Sequence, residues 1–141
     1  MLRWLLWATV VAYMVGIWCL SAMGSQVTQP ADATGISDFW LHLILYGGLG
    51  FLMRLAMAVT WPERQSWLLG SAAIGLTFLY GLTDEFHQSF TPGRGTDPED
   101  IIGNLAGATV GQLGAVVLLA VCSGLMRRCS DRTRVMTEPP V

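Results

Sequence analysis

Asp84-Glu85-x-His87-Gln88, followed after a short loop by Arg94 and then by Asp97-x-Glu99-Asp100, gathers acids, an imidazole, an amide and a guanidinium into one stretch of a largely apolar chain. Carboxylates and imidazole so close in sequence can hold a cation, exchange a proton or grip a polar headgroup. Two further sets carry the same kinds of groups: Asp38-x3-His42-x3-Tyr46, and Asn104 four residues beyond Asp100. A helix has 3.6 residues per turn, so steps of four keep Asp38, His42 and Tyr46 on one slowly drifting face. Asp84 with Gln88, and Asp100 with Asn104, are paired the same way, and Glu85 and Gln88 are neighbours three apart. Ionisable groups at the edge of apolar segments are costly to keep there and mark functional surfaces.

The elements that must position them are membrane spans. Hydrophobic residues make up 52% of the 141 residues and charged ones 13%, well below the ~25% charge of soluble domains. Four apolar stretches, about 4–23, 39–61, 67–86 and 101–126, each fit the ~17–25 residues that cross a bilayer as a helix. They leave no room for a soluble catalytic domain. The predicted fold is all-α: an integral membrane bundle of four transmembrane helices over residues 1–126, with a disordered, arginine-rich cytoplasmic tail over 127–141. A cleaved signal peptide is the alternative for the first segment, which reads Arg3, an apolar run, then Ala22-Met23-Gly24. Its run of roughly 20 residues exceeds the ~7–15 of a signal core.

Every basic residue is an arginine. With alternating spans, Arg3, Arg54, Arg64, Arg127, Arg128, Arg132 and Arg134 fall on one side and Arg94 alone on the other. The positive-inside rule then places both termini in the cytoplasm and the loops 24–37 and 87–98 outside. Arg54 lies within the second span and is expected to snorkel to the inner edge. The outer mouth carries Asp32, Asp38, Asp84, Glu85, Asp97, Glu99 and Asp100, a field suited to a metal ion or a cationic group. Trp4, Trp7, Trp61 and Trp67 sit at the inner boundary, where indoles anchor. The turn 62–65 is short enough to make spans two and three antiparallel neighbours. Cys19, Cys122 and Cys129 lie at depths that forbid the ~7 Å Cα approach of a disulfide.

Several of these residues also have plainer roles. Asp97 followed by Pro98 and two acids is a helix-start pattern that caps and complements the positive helix end. His42 and His87 suit an interface satisfied by water or backbone, and Tyr46 a packed ring. Gly103, Gly107 and Gly111 recur every four residues, predicting close packing of spans three and four. The tail is expected to lie against anionic lipid. There is no Gly-rich nucleotide loop and no paired-cysteine zinc spacing, and no nucleic-acid partner is expected.

At Glu85-x2-Gln88, Arg94, and Asp97-x2-Asp100-x3-Asn104-x2-Gly107-x3-Gly111 the chain resembles the VanZ-like membrane protein family, as it does at Asp38, His42 and Tyr46. The likeness covers roughly residues 38–111. It implies a small multi-span protein of the bacterial inner (plasma) membrane, in a family whose named member is linked to resistance to the antibiotic teicoplanin. His87 departs from the family pattern. The resemblance implies no particular reaction.

Two functions follow as expectations. The first is a binding protein whose outer pocket, built from Asp38, His42, Tyr46, Asp84, Glu85, Gln88, Arg94, Asp97, Asp100 and Asn104, takes a lipid headgroup, a cell-wall precursor or a glycopeptide-type antibiotic. The second is a membrane-embedded enzyme modifying such a lipid, with Glu85 or His87 as general base and Asp38, His42 and Asp100 holding a divalent metal. An ion or proton pathway fits less well, because the ionisable groups gather at one end and only Arg54 lies well inside.

Overall fold

Residues 1–23, 37–92 and 94–137 are described by a computed structural model. Four helices account for nearly all of them: α1 (Leu2–Ala22), α2 (Asp38–Thr60), α3 (Ser66–Gln88) and α4 (Pro98–Thr137). At 1.5 Å per residue, the 21 to 23 residues of α1 to α3 reach about 31–35 Å, enough for a hydrocarbon core of roughly 30 Å. All four are long and apolar enough to cross a membrane. Large apolar side chains such as Leu5, Ile44, Leu79 and Val117 point outward, one from each helix. Such a surface would drive a soluble protein to associate, whereas lipid solvates it.

Local chemistry sets the boundaries. Trp61 precedes Pro62, whose ring excludes the α region for its neighbour, so α2 closes at Thr60. Asp97 accepts the backbone N–H of Glu99 through Oδ1 at 2.9 Å and Pro98 takes the first helical position, where its missing donor costs nothing. α4 does not stop at residue 126. It continues through Arg127 and Arg128 to Thr137, in place of the disorder expected from position 127. Arginine is a good helix former and no proline interrupts the chain before Pro139. The end of the tail, 138–141, lies outside the described residues, as do 24–36 of the loop after α1 and Gly93.

α2 is the central helix, packing on each of the other three. Tyr46, Leu49, Met53, Ala56 and Met57 on α2 meet Val10 and Ile17 of α1 and Leu69 and Ala73 of α3 in the core. The closest approach is between α2 and α4. A Cβ added at Gly107 would stand 2.5 Å from the Leu43 carbonyl oxygen and 2.9 Å from Gly47 N. One added at Gly111 would overlap the Gly47 carbonyl oxygen and come within 2.9 Å of Phe51 N. A Cβ added at Gly103 would stand 3.0 Å from the Phe39 carbonyl oxygen. The glycine stripe of α4 therefore seats on the second helix and not, as its spacing suggested, on the third. The reason lies in α2, whose own Gly47 and Gly50 offer backbone to approach. Between α3 and α4, polar side chains occupy the gap instead, with Gly81 beneath Asn104 and Gly70 beneath Gln112.

At one end of the bundle Trp7 Nε1 donates to Thr60 Oγ1 at 2.9 Å and Trp7 packs edge-on against Trp61. Arg54 reaches toward that end, donating to Ser66 Oγ at 2.8 Å. It does so inside the bundle, 4% exposed, where snorkelling to the interface was expected. Cys19 and Cys122 are free thiols.

Candidate functional site

The opposite end brings together the C-termini of α1 and α3 and the N-termini of α2 and α4. There, Ser21, His42, Tyr46, Asp84, Glu85, Gln88, Asp100 and Asn104 are all buried. All four helices contribute, and the cluster divides into two halves.

Asp84 organises the first half. Its Oδ2 accepts from Ser21 Oγ at 2.7 Å, Tyr46 Oη at 3.1 Å and Gln88 Nε2 at 3.1 Å. Gln88 Nε2 also lies 3.4 Å from Ser21 Oγ. Donors converging on a carboxylate stabilise its charge and fix the donors' own directions. The fourfold spacing of Asp84 and Gln88 makes this possible, because both look out from the same face of α3 toward α1 and α2. Tyr80, one turn earlier, donates to the Met14 carbonyl at 2.6 Å and ties α3 to α1 below the cluster.

His42 organises the second half. Its Nδ1 pairs with Asn104 Oδ1 at 2.8 Å. Glu85 Oε1 stands 3.5 Å from that nitrogen and Asp100 Oδ2 stands 3.7 Å from Nε2. Among the described residues neither oxygen of Glu85 has a hydrogen-bond partner, nor does Asn104 Nδ2. One ligating atom from each of His42, Glu85 and Asp100 lies within 4.8 Å of the others. These three side chains are the group that could hold a metal. Tyr46 joins the halves, its ring stacked 6.0 Å from that of His42 while its hydroxyl serves Asp84.

The remaining sequence candidates stand apart from this cluster. Asp38 is exposed at the first turn of α2. Each four-residue step turns about 40° around a helix, so the face that buries His42 and Tyr46 has swung away at Asp38. Glu85 takes the place among the possible metal ligands that Asp38 was expected to fill. Asp97 is exposed and acts as the α4 cap. His87 sits beyond Asp84 on the α1 side of α3, its ring stacked 3.9 Å from Trp18, and is not brought to His42. Arg94 is half-buried in the loop between α3 and α4, with no ion pair among the described residues.

Ser21 is the residue that sequence reasoning passed over. A lone serine near the end of an apolar run carries no periodicity. Its only signal was depth, the same as that of the acids on the other spans.

A family model described as VanZ/LLP1 matches residues 5–120. That segment takes in the whole polar cluster, and it includes most of the first helix, which the resemblance over residues 38–111 had left out. No curated protein and no solved structure matches the chain.

Proposed function

The chain belongs to the VanZ/LLP1 family, and from that membership we propose that it is a bacterial envelope protein, resident in the plasma membrane, whose polar end binds the headgroup of an envelope lipid or lipid-linked wall precursor. The observation that carries the reading is the convergence of eight buried polar side chains from all four helices at one end of the bundle. Asp84 Oδ1, both Glu85 oxygens and Asn104 Nδ2 lack partners among the described residues, and polar groups left unmade in a buried network cost a purely structural bundle stability. Half-buried Arg94 on the adjoining loop supplies the single cation for a phosphate or carboxylate, and arginine suits such groups through its planar fork. An apolar groove between α1 and α2, lined by Tyr13, Ile17, Leu20 and Leu45 among others, runs toward the same end and suits an acyl chain.

The arginine asymmetry supports an orientation with both termini in the cytoplasm and the cluster at the outer face. A glycopeptide-type antibiotic, rich in hydrogen-bonding groups, is a further candidate ligand for the same pocket. The unpartnered, buried Glu85 beside His42 favours a second reading, a membrane enzyme that uses Glu85 as general base on such a lipid.

Lipid and envelope-precursor profiling of cells with the protein, without it, and with Glu85→Gln tests both. A species retained in the membrane only with the intact protein supports binding, and a new product that vanishes with Glu85→Gln supports catalysis. Identical profiles in all three would count against both readings.

A further inference from the structure

We propose that His42, Glu85 and Asp100 bind a divalent transition-metal ion of the zinc class between α2, α3 and α4. The inference stands on the geometry of these three side chains and goes beyond the headgroup reading, although the ion would lie in the same pocket.

The separations are wrong for hydrogen bonds and right for ligands. At 3.7 Å, His42 Nε2 and Asp100 Oδ2 are too far apart to bond directly. Two atoms each about 2.1 Å from one ion at the tetrahedral angle are separated by about 3.4 Å. Glu85 Oε1 stands 3.5 Å from Nδ1, and one ligating atom from each of the three residues lies within 4.8 Å of the others, so a rotation of the Glu85 side chain past the ring toward Nε2 would close the set around a common centre.

Charge points the same way. Glu85 is 2% exposed and Asp100 6%, and among the described residues both Glu85 oxygens lack a hydrogen-bond donor. Buried carboxylates need a paired charge or a metal. Two carboxylates and one neutral imidazole balance a dication. Asp84, by contrast, already has three donors on Oδ2, although its Oδ1 has no partner among the described residues.

The surroundings orient the ligands as metal sites do. His42 Nδ1 is engaged by Asn104 Oδ1 at 2.8 Å, which fixes the ring and leaves the Nε2 lone pair facing Asp100. A ligating histidine almost always has its other nitrogen held in this way. One imidazole with two carboxylates suits zinc, manganese or iron better than calcium or magnesium, which prefer oxygen alone.

The test uses the full-length protein in mild detergent, stripped with a chelator, reloaded with Zn²⁺ and dialysed before elemental analysis. Wild type should retain roughly one zinc per chain, held by three protein ligands with a fourth position open to water or headgroup. Glu85→Gln and Asp100→Asn, which keep side-chain shape, should lose it. Asn104→Ala should weaken retention by about 10–100-fold through the ring of His42, and Glu99→Gln should retain zinc like wild type. For wild type alone, X-ray absorption of the zinc should show one imidazole and oxygen neighbours, a result that does not depend on any variant folding. Wild type without zinc after dialysis, zinc without imidazole, or equal zinc in Glu85→Gln and Asp100→Asn would each overturn the proposal. Headgroup capture is measured separately on the same samples. Zinc without captured lipid sinks the headgroup reading alone, and captured lipid without zinc sinks the metal alone.

Discussion

Removing the Asp84 carboxylate should loosen the first helix from the bundle, by an amount the structure lets one work out. Asp84→Ala strips the shared acceptor from Ser21, Tyr46 and Gln88. Each buried donor left unmade costs about 1–3 kcal/mol. Gln88 keeps Ser21 Oγ at 3.4 Å as a fallback, so two full penalties apply. Loss of a buried charge returns part of that cost, which leaves a net loss of about 2–4 kcal/mol. Asp84→Asn retains a carbonyl oxygen for the same donors and should cost about 1 kcal/mol. The assay is denaturant unfolding in micelles followed by tryptophan fluorescence. A double-mutant cycle with Ser21→Ala should give a coupling of about 1.5–3 kcal/mol, the range for a hydrogen bond to a charged group. Equal stability of the Ala and Asn variants, or strict additivity with Ser21→Ala, would refute this view of Asp84 as the tie between α1 and α3.

Further predictions concern the scaffold and its orientation. Gly111→Ala drives a methyl group into the main chain of α2 and should destabilise by about 3 kcal/mol, the upper part of the range for overpacking. Gly75→Ala, with nothing within 4 Å, should instead gain about 0.5–1 kcal/mol, and similar melting of the two variants would show that α4 does not seat on α2. Arg54→Met should be neutral or stabilising by about 1–4 kcal/mol in thermal unfolding, since among the described residues a single bond, to Ser66, offsets a buried charge; a marked loss would reveal a partner for Arg54. On a background without native cysteines, Gly95→Cys should react with an impermeant maleimide in intact cells, and Glu63→Cys only after permeabilisation. The reverse pattern would invert the proposed orientation.

Much of this architecture was legible in the sequence because hydropathy and fourfold spacing are strong signals. The four spans are found where apolar runs placed them, and His42, Tyr46, Asp84, Glu85, Gln88, Asp100 and Asn104 do converge. What escaped depended on rotation about the helix axis and on the choice of neighbour. A step of four drifts, so Asp38 left the face that His42 and Tyr46 share. His87 belongs to the same turn as Glu85 yet stacks on Trp18. A glycine stripe announces close packing without naming its partner, and the small residues of α2 decided that here. The end of α4 was set too early because loss of hydropathy was read as loss of helix, which arginines do not impose.

The central claim, that this polar end holds a lipid headgroup, is tested most directly by native mass spectrometry of the protein released from mild detergent. Wild type should carry a defined lipid or lipid-linked precursor that survives delipidating washes, while Arg94→Ala and Asp100→Asn should lose it by about tenfold or more, as when a charged contact worth about 1.5–3 kcal/mol is removed. The same mixture of bulk lipids on wild type and both variants would contradict the account.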